Sequence, residues 1–200
     1  MLCLKVASDD AWVRAAVHDL DAVLVDHAHC EMKAASNALS LAARHSDRPA
    51  LVRALTDLAR EEIDHFQRVF DVLSRRGLVL GPPEVDTYAA ELRRAAAAAT
   101  KPRVDALVDR LLVGALIEAR SCERFKLLLG VVGGDAELHA LYTEFFAAEA
   151  RHYRTFIDLA VEAAGGDEAL VDARLDVLAA REAAIVARLT EEARRSTMHG

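Results

Sequence analysis

The segments Glu62-Ile63-Asp64-His65 and Glu149-Ala150-Arg151-His152 repeat one pattern, a glutamate followed three places later by a histidine, each inside a strongly helical run. Residues three apart on an α-helix share a face about one turn from each other, so carboxylate and imidazole point the same way. Each pair also has a lone glutamate one helix earlier: 62 − 31 = 31 for Glu31, and 149 − 118 = 31 for Glu118. A single offset of 87 carries Glu31, Glu62 and His65 onto Glu118, Glu149 and His152. Four carboxylates and two imidazoles converging inside a helical bundle are what a pair of iron or manganese ions requires. That repeat restricts the chain to folds in which four helices face one another.

Two Glu-x-x-His pairs alone would be weak evidence, since 15 Glu and 8 His among 200 positions give roughly 0.6 such pairs by chance. Chance does not supply the matched upstream glutamates, the common offset, or the placement of all six residues on the apolar sides of four helices. A buried acid without a cation is costly, and a coordinating one is not.

The remaining pattern is helical throughout. Hydrophobic residues make up 53% of the chain, Ala dominates them, and Gly and Pro are sparse, a composition suited to one sizeable helical core. Ser8-Asp9-Asp10 offers an N-cap ahead of Trp12, and a short helical turn leads into the first long helix, about 18–44, with Leu24, His27, Glu31, Ala38 and Leu41 along one stripe. Pro49 opens the second, about 49–76, which stops at Gly77. Leu78 to Pro83 is the principal breaker cluster, followed by a helical stretch from about Thr87 to Ala99; together they form a long crossover to the opposite end of the bundle. The third helix, about 102–129, and the fourth, about 136–164, form another antiparallel pair around Glu118, Glu149 and His152. After Gly165-Gly166 comes an amphipathic fifth helix, about 168–195, expected to cover one side and to carry no inward acid. The expected fold is all-α, one domain over residues 1–200.

The ligand set specifies its chemistry. Carboxylates are hard and able to bridge, so Glu62 and Glu149 are assigned as bridges, Glu31 and Glu118 as terminal ligands, and His65 and His152 as one cap per ion, with iron the first choice and manganese the second. His27, one turn before Glu31 on the same face, is a candidate ligand, but the position 87 later is Gly114, which breaks the symmetry; the alternative reading is a residue beside the ligands or in the core. Glu61 is off the stripe and reads as a residue that could steady a ligand histidine, and Glu123 is about 140° round the helix from Glu118. Tyr142, two turns before Glu149, is read as core. Cys3, Cys30 and Cys122 form neither a disulfide framework nor a zinc pattern and fit a reducing cytosol. No apolar run approaches the ~20 residues of a membrane span, so a cytoplasmic protein without a membrane partner is expected.

The formal charge of −7 argues at first against a polyanionic partner, yet two divalent ions would leave −7 + 4 = −3. Basic residues are also grouped: Arg44 with Arg48, Arg75 with Arg76, and Arg93, Arg94, Lys101 and Arg103.

The strings Asp26 to Ala35, Glu61 to Phe66, Ile117 to Phe125 and Glu149 to Tyr153 resemble the ferritin-like diiron carboxylate proteins, and within them the tRNA hydroxylases that act on methylthio-isopentenyladenosine beside the anticodon. The resemblance implies a ferritin-like four-helix bundle with an additional C-terminal helix. It implies oxygen-dependent hydroxylation of the isopentenyl group, with electrons from a reductase or ferredoxin-type partner and the tRNA anticodon loop as substrate. Ala148 departs from related oxygenases that carry an acid before the second Glu-x-x-His. Small residues near the ligands, Ala34, Gly114, Ala115 and Ser121, are expected to leave room for the prenyl tail. Iron-storage or peroxide-handling relatives, a diiron oxidase with another substrate, and a radical-generating subunit are the competing readings. Storage needs a shell-forming assembly, rubrerythrin-like proteins usually add a four-cysteine iron module that this sequence lacks, and a radical subunit needs a tyrosine close to the metals.

Overall fold

The computed structural model describes residues 2–83, 85–98 and 106–192, and every element in them is helical. In chain order these are α1 (Asp10–His18), α2 (Leu20–Arg44), α3 (Pro49–Arg75), α4 (Thr87–Ala98), α5 (Ala106–Leu129), α6 (Ala136–Ala163) and α7 (Glu168–Glu192). The long helices begin and end within about two residues of the expected positions. The expected start of the third bundle helix at Pro102, and the ends of the crossover helix and of the C-terminal helix, lie outside the described residues. The short turn expected ahead of α2 is a nine-residue helix: Asp9 accepts hydrogen bonds from the Ala11 and Trp12 amides, and Asp19 then caps α2 through the Ala22 amide. Two caps in close succession separate the short helix from the long one.

The chain forms two compact units, residues 18–85 in one and, in the other, the N-terminal segment with α4 to α7. The first unit is the antiparallel hairpin of α2 and α3. Its tight connection works because Pro49 occupies the start of α3, where no amide is needed. At the far end of the hairpin Gly77, at φ 71°, stops α3 in a conformation that favours glycine. The chain beyond Gly77 is tied back to this hairpin by a 3.1 Å hydrogen bond between the His29 ring and the Leu80 carbonyl.

In the second unit α5 packs against α4, α6 and α7, and is buried nearly all round. Several of its buried polar residues have partners on other elements. Arg120, fully buried, donates to both carboxylate oxygens of Glu182 on α7 at 2.9 and 3.0 Å, to the Val6 carbonyl at 3.1 Å and to Glu123 at 3.2 Å. Tyr88 on α4 donates to the same Glu182 carboxylate at 3.1 Å. Burial pushes the Glu182 carboxyl upward in pKa, and the Arg120 guanidinium opposes that shift. A second bidentate pair joins Asp109 on α5 to Arg174 on α7 at 2.6 and 2.7 Å. Glu182 corrects the expectation that the last helix holds no inward acid: it sits in the α7 stripe between Leu178 and Ile185, and its cation lies 62 residues away.

Candidate metal centre

Both units carry one copy of the repeated motif, and in both its three residues are buried. On α2 and α3, Glu31, Glu62 and His65 bring one ligand atom each within 4.8 Å of one another. His65 Nδ1 stands 3.4 Å from a Glu62 oxygen and 3.8 Å from a Glu31 oxygen. Burial draws the imidazole toward its neutral form, and the hydrogen bonds and charges of Glu31 and Glu62 more than offset this, pushing its pKa up to about 10. The two carboxylates thus make a strongly cation-seeking pair. His27 lies on the same face as Glu31, 1% exposed, with Nε2 2.6 Å from Glu31 Oε1. It holds a carboxylate oxygen rather than facing the group as an independent donor. Glu61 is exposed and stands off the buried stripe.

On α5 and α6, Glu118, Glu149 and His152 likewise place ligand atoms within 4.8 Å of one another, with His152 Nδ1 3.9 Å from a Glu149 oxygen. The antiparallel register pairs Glu118 with His152, Phe125 with Phe145 at a 6.3 Å ring separation, and Gly114 with Phe156. Cys122, one turn beyond Glu118, donates its thiol to the Phe146 carbonyl at 3.4 Å; burial and the Glu149 charge push its pKa up to about 12, so it stays a thiol. Tyr142 is fully buried against Phe125, 5.3 Å between ring centroids, as core packing requires. Glu123 accepts from the Ser8 amide and hydroxyl at 2.9 and 2.8 Å and takes no part in the motif.

One expectation changes. Gly114 leaves no open space, because a Cβ there would stand 2.8 Å from the Phe156 ring, so the aromatic side chain already fills the notch. Ala115 and Ser121 are buried and Ala34 is partly so. Sequence reasoning also passed over Arg120 and Glu182, although Glu182 interrupts an apolar stripe just as Glu31 does.

Each half offers two carboxylates and one imidazole, all buried, and in the second half the Cys122 thiol is turned to a backbone carbonyl. That hard, anionic donor set suits iron or manganese better than a thiolate-seeking metal. Of the basic groups, Arg44, Arg75, Arg76, Arg93 and Arg94 are exposed and Arg48 is partly so, while Lys101 and Arg103 lie outside the described residues. No helix among the described residues is long and apolar enough to cross a membrane.

A family model described as tRNA-(MS[2]IO[6]A)-hydroxylase (MiaE) matches residues 1–199. A tRNA 2-(methylsulfanyl)-N(6)-isopentenyladenosine(37) hydroxylase of Pseudomonas putida is 40% identical over 96% of this chain and 90% of its own length. A protein of the same name from Salmonella typhimurium is 33% identical over 58% of this chain and 42% of its own. Among solved structures, a Synechococcus protein with aldehyde deformylating oxygenase activity superposes with a TM-score of 0.87 at 36% identity, covering 100% of this chain and 96% of that one. The fold is therefore the ferritin-like helical one that the resemblance implies.

Proposed function

The chain belongs to the tRNA-(MS[2]IO[6]A)-hydroxylase family, and on that premise we propose that it hydroxylates the isopentenyl group of 2-methylthio-isopentenyladenosine in tRNA with a pair of iron ions as cofactor. The observation that carries the reading is the duplicated buried set, Glu31, Glu62 and His65 in one unit and Glu118, Glu149 and His152 in the other, within a chain that matches the hydroxylase family nearly end to end. In this reading the two units act as one diiron domain. Glu62 and Glu149 would serve both ions, Glu31 and Glu118 one ion each, and His65 and His152 one ion each.

The metal pair, when bound, supplies reductive activation of oxygen and insertion of one oxygen atom into an allylic C–H bond, with two electrons from a reductase or ferredoxin-type donor. The protein's own part is positional and protective. Burial of all six side chains excludes water from the reacting carbon, and the His27 hydrogen bond fixes the Glu31 carboxylate before any substrate arrives. The Cys122 thiol, protonated and bonded to the Phe146 carbonyl, does not compete for the metal.

The target base lies in a single-stranded anticodon loop, where it can be swung out and presented without a dedicated RNA-binding domain. Arg44 and Arg48, with Lys101 and Arg103, supply phosphate contacts, and the net charge of −7 makes that affinity modest and sensitive to salt. A cytoplasmic location follows from the substrate. The test is nucleoside analysis of tRNA bearing the prenylated, unhydroxylated base after incubation with iron-loaded protein, reductant and oxygen. Appearance of the hydroxylated nucleoside is expected, and tRNA left unchanged would refute the assignment.

A further inference from the structure

Gly114 lies one turn before Glu118 on α5, and Phe156 one turn after His152 on α6, so the two form the layer next to a pair of proposed ligands. The contact between them is close. A Cβ on residue 114 would stand 2.8 to 2.9 Å from three carbons of the Phe156 ring, a spacing that real side chains do not tolerate. Glycine is therefore required for the ring to lie where it does.

The same layer of the other unit is built the opposite way. The position 87 before Gly114 is His27, which is large and hydrogen-bonded to Glu31, and the position 87 before Phe156 is Val69, which is small and fully buried. One half thus places a polar ring on the glutamate helix, and the other an aromatic hydrocarbon face on the histidine helix. Phe125, Tyr142 and Phe145 pack on one another on the far side of the Glu118 layer.

Resting on the hydroxylase reading above, we propose that the Phe156 ring, seated in the Gly114 notch, is the apolar wall that sets which N6 substituents fit beside Glu118 and His152. The reacting part of the substrate is a branched five-carbon hydrocarbon with no group to hydrogen-bond. It is placed by contact with carbon surface, and a misplacement of about 1 Å is costly to a reaction on one chosen C–H bond. The His27 imidazole, bound to a carboxylate, offers no such surface. Phe156 offers one, in an orientation fixed by the missing Cβ. It acts as a specificity-determining residue and has no proton or electron to exchange.

The experiment uses iron-loaded full-length protein and an anticodon stem-loop RNA carrying 2-methylthio-isopentenyladenosine, with the same RNA bearing a bulkier N6-benzyl group as inhibitor. Removing ring volume with Phe156→Leu is expected to tighten inhibition by the benzyl RNA about tenfold and to raise KM for the natural RNA, the scale by which apolar pockets discriminate size. Iron content stays at the wild-type level. Gly114→Ala dislodges the intact ring and raises KM for the natural RNA, and adding Phe156→Leu to that chain restores the melting temperature without restoring wild-type size selectivity. A structural role alone would return stability and selectivity together, and that result would overturn the proposal. Unchanged benzyl inhibition in active Phe156→Leu protein would overturn it equally. If Phe156→Leu does not fold, Phe156→Met takes its place: tighter benzyl inhibition with a raised KM supports the wall, and unchanged inhibition overturns it. Wild-type protein that leaves the natural RNA unhydroxylated fails the hydroxylase reading itself, whereas active wild type with unaltered selectivity in the variants fails only the wall.

Discussion

The α2–α3 hairpin and the α5–α6 hairpin carry the same three motif residues at the same spacing, yet they are supported differently. In the first, Glu31 is steadied from within, by His27 one turn away at 2.6 Å, and the helices hold each other with the His29 to Leu80 hydrogen bond behind them. In the second, Glu118 has a glycine at the matching place, and α5 is steadied from outside by bidentate pairs to α7, Arg120 with Glu182 and Asp109 with Arg174. The repeat thus keeps the three motif residues while their surroundings differ. On the proposed reading each half supplies an equivalent set of donors, and only the second sets an aromatic ring in the layer beside them.

Removal of a proposed bridging carboxylate should have the largest effect. Glu62→Ala and Glu149→Ala are each expected to reduce hydroxylation to background while circular dichroism still reports a largely helical protein. Appreciable activity in either variant would show that the halves do not depend on each other. Next comes the buried support of α5. Glu182→Ala leaves the Arg120 guanidinium buried without its bidentate partner, with Glu123 as its remaining carboxylate, and should cost about 3 kcal/mol in denaturant unfolding, while a paired Arg120→Met/Glu182→Leu replacement costs much less. A neutral single substitution would mean that the pair does not support this half. The smallest effect belongs to His27. Truncation to His27→Ala should weaken iron binding by about 10–100-fold, as loss of a hydrogen bond to a metal ligand generally does, leaving melting of the metal-free protein little changed. Equal affinity with and without the imidazole would erase the asymmetry on the Glu31 side.

The helices, their caps and the six motif residues were legible in sequence because their signals are local or repeated. Three- and four-residue spacing marks a buried stripe, Ser8-Asp9-Asp10 marks a cap that Asp9 provides, and the offset of 87 needs no structure to be seen. The buried network of α5 was not legible in the same way. A single stripe describes a helix with one buried face, whereas α5 is enclosed on several sides, and the partners of its polar residues lie 62 and 65 residues away on α7. Glu182 did leave a trace, an acid inside the stripe of Val171, Leu175, Leu178 and Ile185, but without the position of Arg120 that trace names no partner. Gly114 was misread for a related reason. A small residue in a sequence signals that something comes close, and whether it is a substrate or a phenyl ring depends on what the facing helix places there.

The central claim is that the two copies of the motif complete one dinuclear site. The most direct measurement is the iron content of protein expressed with ample iron, set against that of Glu62→Ala under the same conditions. Two iron ions per wild-type chain, with occupancy falling on loss of the bridging carboxylate, is the predicted result. One ion or none per wild-type chain, or two retained in the variant, would contradict it.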